Sequence, residues 1–287
     1  MSKLSPMKVA SGFACAGVIF AALGADYYFQ TVYVTGALIF ILAIGSAIEF
    51  CSMLRKKGIY LPELLIVATV GMVTLFPILC EIKAEFSFEL FLTTISLILV
   101  FGVIGAYAIT LTKKPVPEGA LSVAFTVLGL LHIGLGFCFF AAHLLMDIEG
   151  PRIALVALFI FVVKANDILA YLLGSTFGRK GTLSPISPNK SIEGSLFGFL
   201  GGIGISVLVG YLFGLPDFKI WKAVVYGVVV GPLSQVGDLA ESMLKRYCGV
   251  KDSSSIIPAS GGLFDFADCF LLAAPASYFL TLLLSRF

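Results

Sequence analysis

The sequence predicts an all-α polytopic membrane protein of about nine transmembrane helices, and three observations carry that expectation. Hydrophobic residues make up 59% of the 287-residue chain against 13% charged, with a mean hydropathy of +1.04, which lies in the integral-membrane range. Apolar windows recur at the length of about 17 to 25 residues that crosses a bilayer as helix. Charge collects in the gaps between them, with Lys164 and Asp167 standing inside a span. The net charge of +2, with no basic run interleaved by aromatics, argues against nucleic acid as a partner. Six cysteines lie scattered without a Cys-x-x-Cys pair, so they read as small core hydrophobes rather than a zinc site or a disulfide framework.

The windows fall near 9–25, 31–50, 60–80, 87–111, 120–146, 153–174, 195–215, 222–240 and 265–284. The first follows Lys3 and Lys8 and ends in Ala22-Leu23-Gly24-Ala25, a tolerable signal-peptide cleavage site. A polytopic chain needs no separate signal, so it reads as the first span. Short connectors such as Arg55-Lys56-Lys57-Gly58 and Lys113-Lys114-Pro115-Val116-Pro117 join the next helices, and no interior ionisable cluster is apparent in residues 1–150. That half reads as scaffold. Glu49 and Glu63 stand near membrane ends, where water can solvate them. The fifth span holds His132 and His143, eleven residues apart, on one face but separated by roughly 16 Å along the axis. They cannot grip one ion together, and each reads as a hydrogen-bonded structural histidine. Residues 151–287 form the chemical part of one continuous membrane domain.

Lys and Arg in the short loops set the orientation. With the N-terminus cytoplasmic, the inner loops hold thirteen basic residues: Lys3, Lys8, Arg55, Lys56, Lys57, Lys113, Lys114, Arg179, Lys180, Lys190, Lys245, Arg246 and Lys251. The outer loops hold five, Lys83, Arg152, Lys219, Lys222 and Arg286, and the C-terminus lies outside. Both long polar loops, 175–194 and 241–264, then face the cytoplasm. Asp167, Asp238, Asp265 and Asp268 share one depth, just inside that interface.

Three blocks in this half carry chemistry. In the sixth span Lys164, Asp167 and Tyr171 recur at three and four and share a helix face, with a self-neutralising Lys164–Asp167 pair as the plainer reading. The next loop, Gly174-Ser-Thr-Phe-Gly178-Arg179-Lys180-Gly181 with Ser184 to Gly194, offers glycines, hydroxyls and the cations Arg179, Lys180 and Lys190 to a phosphate chain. An ordinary basic cytoplasmic loop explains it equally well. The third block supplies hard oxygen ligands: Asp238, Asp265 and Asp268 are metal candidates, and Glu241 can share the Asp238 face and pair with Lys245. Ala259-Ser260-Gly261-Gly262 leads into the ninth span, whose first amides can receive an anionic oxygen.

In this order the blocks resemble the phosphatidate cytidylyltransferase (CDP-diacylglycerol synthase) family. Its hallmark, Ser-x-x-Lys-Arg-x-x-x-x-Lys-Asp-Ser then Pro-Gly-His-Gly-Gly-x-x-Asp-Arg-x-Asp, is matched by Ser242, Lys245, Arg246, Lys251, Asp252, Ser253, Pro258, Gly261, Gly262, Asp265 and Asp268. Asn166-Asp167 with Ala170-Tyr171, and Ser187-Pro188-Asn189-Lys190-Ser191-Ile192-Glu193-Gly194, resemble two upstream elements. The match covers about residues 163–270. Two departures mark a divergent member: Ala259-Ser260 replaces Gly-His, and Asp265-Phe266 replaces Asp-Arg.

The resemblance implies transfer of the cytidylyl group of CTP to phosphatidate, giving CDP-diacylglycerol and pyrophosphate for phospholipid synthesis. On that reading we assign Asp238, Asp265 and Asp268 to Mg²⁺ or Mn²⁺, and Asp167 to the metal or its water. Asp238, Asp265, Lys245 and Asp167 would be catalytic. Ser187, Lys190, Glu193, Ser242, Arg246, Lys251, Asp252 and Ser260 would bind substrate. CTP, a lipid phosphate and the bilayer are the implied partners, a homodimer stays open, and a bacterial inner membrane with a cytoplasmic site is the expected location. CTP-dependent transfer to another lipid phosphate, phosphorylation of an isoprenoid alcohol, and cation-coupled transport are the alternatives.

Overall fold

The computed structural model describes residues 6–83, 87–146, 153–178, 184, 186–188, 190–213 and 219–286. Lys3, Arg152, Arg179, Lys180, Gly181, Pro185 and Asn189, all read above, lie outside them. Among the described residues no strand is present, and nine segments are long and apolar enough to cross a membrane. In chain order the helices are α1 (Pro6–Phe29), α2 (Tyr33–Lys56), α3 (Glu63–Lys83) and α4 (Phe88–Lys113). There follow α5 (Glu118–Gly129), α6 (Gly136–Ala142), α7 (Ala154–Phe177), α8 (Ile192–Leu212), α9 (Ile220–Cys248), α10 (Leu263–Leu271) and α11 (Ala273–Leu284).

Two of the expected spans are composite. The fifth joins α5 to α6 through a π-helical turn at Leu130–Leu135, and the ninth breaks at Leu272 between α10 and α11. A larger difference concerns α9, which continues to Cys248 instead of ending near 240, so Glu241, Lys245 and Arg246 are helical rather than part of a loop. The helix tolerates these charges because Glu241 and Lys245 pair one turn apart and Leu244 and Cys248 are buried beside them. It stops at Gly249, whose φ of +73° is open to glycine; the Gly249 and Val250 amides donate back to the Arg246 and Lys245 carbonyls.

In lipid, apolar surface gives little drive for helix association, so close packing and buried hydrogen bonds carry it. Phe91, Phe139 and Tyr278 pack edge-on and tilted against one another between α4, α6 and α11. Beside them the fully buried His143 ring contacts the Phe139 carbonyl at 2.7 Å and Ser277 Oγ at 2.8 Å, and Tyr226 Oη reaches the same hydroxyl at 2.6 Å. His143 is thus the structural histidine its spacing implies. Around the chemical half, α7, α8 and α9 pack on small residues. A Cβ on Gly174 would lie 2.9 Å from the Cα of Gly194, so the end of α7 meets the start of α8 backbone to backbone. The same packing sets Asn166, beside Asp167, against Gly198 in the second turn of α8.

Candidate functional site

Asp167 on α7 and Asp238 on α9 each stand ten residues before the end of their helix, roughly 15 Å along the axis. Both line one cavity of about 310 Å³, together with Tyr171, Lys190, Ser195 and Gln235. Lys190 Nζ is ion-paired with Asp238 Oδ2. The segment delivering Lys190 is a pair of tight turns: Ser187 N–H donates to the Ser184 carbonyl at 3.1 Å, and Lys190 N–H to the Ser187 carbonyl at 3.1 Å. Ser191 then caps α8, its Oγ accepting from Gly194 N–H at 3.1 Å. The cavity is therefore walled by the N-terminal turn of a 21-residue helix, a cation and two carboxylates, a combination that receives anionic oxygens together with a hard cation.

A polar frame holds that wall. Asn166 Nδ2 donates to Ser234 Oγ at 2.8 Å, and Gln235 Nε2 donates to Asn166 Oδ1 at 2.9 Å and to the Ser195 carbonyl at 3.0 Å. Ser195 Oγ returns a bond to Gln235 Oε1. Gln235 and Ser195 are absent from the sequence-derived site because uncharged residues on an apolar helix give no spacing signal.

Asp268 joins this cavity to a second cluster. Its carboxylate lies in the field of both Asp238 and Asp167, and also of Glu241 and Lys245. Gly237 permits the contact between α9 and α10, since a Cβ there would sit 2.6 Å from the Asp268 carbonyl oxygen. In the second cluster Lys245 Nζ lies 2.6 Å from Asp265 Oδ1 and 2.5 Å from the buried Glu241. Asp265 Oδ2 accepts from Ser253 N–H at 2.7 Å, Ser253 Oγ at 2.6 Å and Gly262 N–H at 2.7 Å. Asp265 closes the first turn of α10 and ties down the 250–262 loop.

The N-terminal half enters here, which corrects the expectation that water solvates Glu49 at a membrane end. Glu49 is 4% exposed rather than solvated; it accepts from Ser254 Oγ at 2.7 Å, Leu263 N–H at 3.0 Å and Phe264 N–H at 2.8 Å, and its Oε2 lies 2.7 Å from Ser253 Oγ, whose single proton it shares with Asp265. Its carboxylate meets the positive end of α10, which stabilises it where water does not reach. Glu63 by contrast is surface-paired with Arg55 at 2.7 Å. Lys164 departs from the self-neutralising pair: among the described residues its ammonium donates to the Phe266 carbonyl at 2.9 Å and Cys269 Sγ at 3.2 Å, and it lies 4.2 Å from the Phe266 ring centre. Position 266, where the family motif carries arginine, thus seats a cation that arrives from α7.

The remaining sequence candidates lie outside the cavity wall. Arg246 donates to the Val250 carbonyl at 3.2 Å, and Lys251 and Asp252 are exposed in the loop. Ser242 is on α9, Glu193 is in the first turn of α8, and Ser260 Oγ contacts Ser11 Oγ on α1 at 2.8 Å. Among the described residues no three His, Cys, Asp or Glu side chains form a ready-made metal cage. Magnesium is usually held by one or two carboxylates with substrate phosphates and water, so Asp167 and Asp238 fit an ion that arrives with a triphosphate. Both Asp265 oxygens are already engaged.

A model of the cytidylyltransferase family matches residues 6–284. The phosphatidate cytidylyltransferase of Synechocystis sp. is 42% identical over 135 residues, 47% of this chain and 45% of that protein. The phosphatidate cytidylyltransferase of Staphylococcus epidermidis is 35% identical over 158 residues, 54% of this chain and 57% of its own. The chain thus spans about half the length of these two relatives. The phosphatidate cytidylyltransferase of Bacillus subtilis is 31% identical over 264 residues, 86% of this chain and 89% of that protein.

Proposed function

The chain belongs to the cytidylyltransferase family, and on that premise we propose that it transfers the cytidylyl group of CTP to phosphatidate. A phosphate oxygen of the lipid attacks the α-phosphorus of CTP, the bond to the β-phosphate breaks, and CDP-diacylglycerol and pyrophosphate leave. One observation carries this reading: Asp167, Asp238, Lys190 and the first turn of α8 face one cavity. An ion held by Asp238 and Asp167, flanked by Asp268, would neutralise the triphosphate and polarise the phosphorus under attack.

The chain's own groups supply positioning and charge, which is most of what phosphoryl chemistry asks of a protein. Lys190 is paired with Asp238 and can exchange that carboxylate for a phosphate oxygen. Ser195 and the α8 amides offer donors fixed by the Gln235–Asn166 frame. Lys245, between Glu241 and Asp265, holds the loop and α10 in register rather than reaching the cavity. The excess of basic residues on one set of loops supports a cytoplasmic site in a bacterial inner membrane.

The test is turnover of labelled CTP by purified protein with Mg²⁺ and phosphatidate. The reading expects CDP-diacylglycerol and pyrophosphate in equal amounts. A phosphorylated lipid with CDP as by-product would place the chain among lipid kinases instead.

A further inference from the structure

A second, apolar cavity lies between α1, α2, the 256–258 segment and α10. About 530 Å³ in volume, it is lined by Ala10, Ala14 and Val18 of α1, Leu38 and Leu42 of α2, and Phe266 of α10. The Ser11–Ser260 contact, 2.8 Å, ties α1 to the loop at its edge. Phe266 belongs to both regions. While its side chain walls the groove, its carbonyl and ring hold the ammonium of Lys164, which stands three residues before Asp167 on α7.

We propose that this groove holds one acyl chain of the lipid acid whose head group reacts at Asp167 and Asp238; the inference rests on the functional reading above. A molecule with a hydrocarbon chain and an anionic head matches the two regions in sequence, apolar groove, then cation, then the carboxylates that would hold a metal. Lipid tails are as apolar as leucine, so the groove gains little by transfer from the bilayer. Its effect is orientation: fixing the chain fixes the approach of the head group, and misplacement by about 1 Å costs on the order of a hundredfold in rate. Phe266 in place of a charged residue is what lets the groove run apolar up to Lys164.

The experiment uses the full chain in phosphatidylcholine vesicles with a phosphatidate carrying a photoreactive diazirine in mid-chain. The label is expected in residues 10–18 or 256–258, displaced by unlabelled phosphatidate and not by additional phosphatidylcholine. Ala14→Trp, which fills the groove, is expected to lower kcat/KM for dioleoyl phosphatidate about tenfold or more. Turnover of dihexanoyl phosphatidate and the KM for CTP stay as in the native protein. Labelling elsewhere, displacement by either lipid alike, or equal loss with long and short chains would overturn the groove assignment. Native protein that labels as expected but turns over neither phosphatidate would overturn the functional reading instead.

Discussion

Replacing Glu49 by alanine probes the link between the two halves of the chain. The carboxylate receives two backbone amides at the start of α10 and the Ser254 hydroxyl, and shares the Ser253 hydroxyl with Asp265. Alanine leaves the Leu263 and Phe264 amides without that acceptor; each orphaned amide costs about 1–3 kcal/mol. The helix-end charge interaction contributes up to about 2 kcal/mol more. The Ser253 hydroxyl keeps Asp265 as an acceptor, so the expected destabilisation from these terms is about 2–8 kcal/mol. Glu49→Gln keeps one acceptor oxygen and is expected to lose roughly half as much. Glu63→Ala is the control, because its surface pair with the exposed Arg55 is worth at most about 1 kcal/mol. The assay is thermal unfolding in detergent, followed by loss of the monodisperse chromatographic peak, with turnover measured in parallel. Equal midpoints for Glu49→Ala and Glu63→Ala would refute the reading of Glu49 as the buried clamp of α10.

Three further outcomes follow from the geometry. Gly237→Ala places a methyl against the Asp268 carbonyl oxygen, separates α9 from α10, and is expected to lower kcat on the order of a hundredfold while the protein still folds, read by turnover beside unfolding midpoint. Lys245→Met leaves Glu241 buried without its cation and is expected to cost about 3–5 kcal/mol in unfolding assays, partly restored by Lys245→Arg. Removing divalent ions with EDTA is expected to abolish pyrophosphate release, with recovery on returning Mg²⁺ and no change in folding midpoint beyond that due to ligand loss.

The nine spans are legible because the bilayer dictates both length and composition. Their internal breaks are not: the π-turn at 130–135 and the interruption at Leu272 change hydrogen bonding without changing hydropathy. The extra turns of α9 escape for the opposite reason, since Glu241, Lys245 and Arg246 resemble loop charge until one turn of helix pairs two of them. Asp167 and Lys190 are recoverable from motif elements and Asp238 from its block of carboxylates, and one cavity unites them. Asp265 is recoverable as a site residue, yet its engagement by Lys245, Ser253 and Gly262 depends on a loop conformation that spacing does not encode. Glu49 is illegible because its partner Ser253 lies 204 residues away and a single glutamate near a helix end has no periodic companion.

Whether carboxylates from two helices hold a metal with nucleotide is tested most directly by electron paramagnetic resonance of Mn²⁺ added to the purified protein with CTP. The expected result is a CTP-dependent bound-Mn²⁺ signal that disappears in Asp238→Asn and Asp167→Asn and persists in Asp265→Asn. An undiminished signal in Asp238→Asn would contradict it.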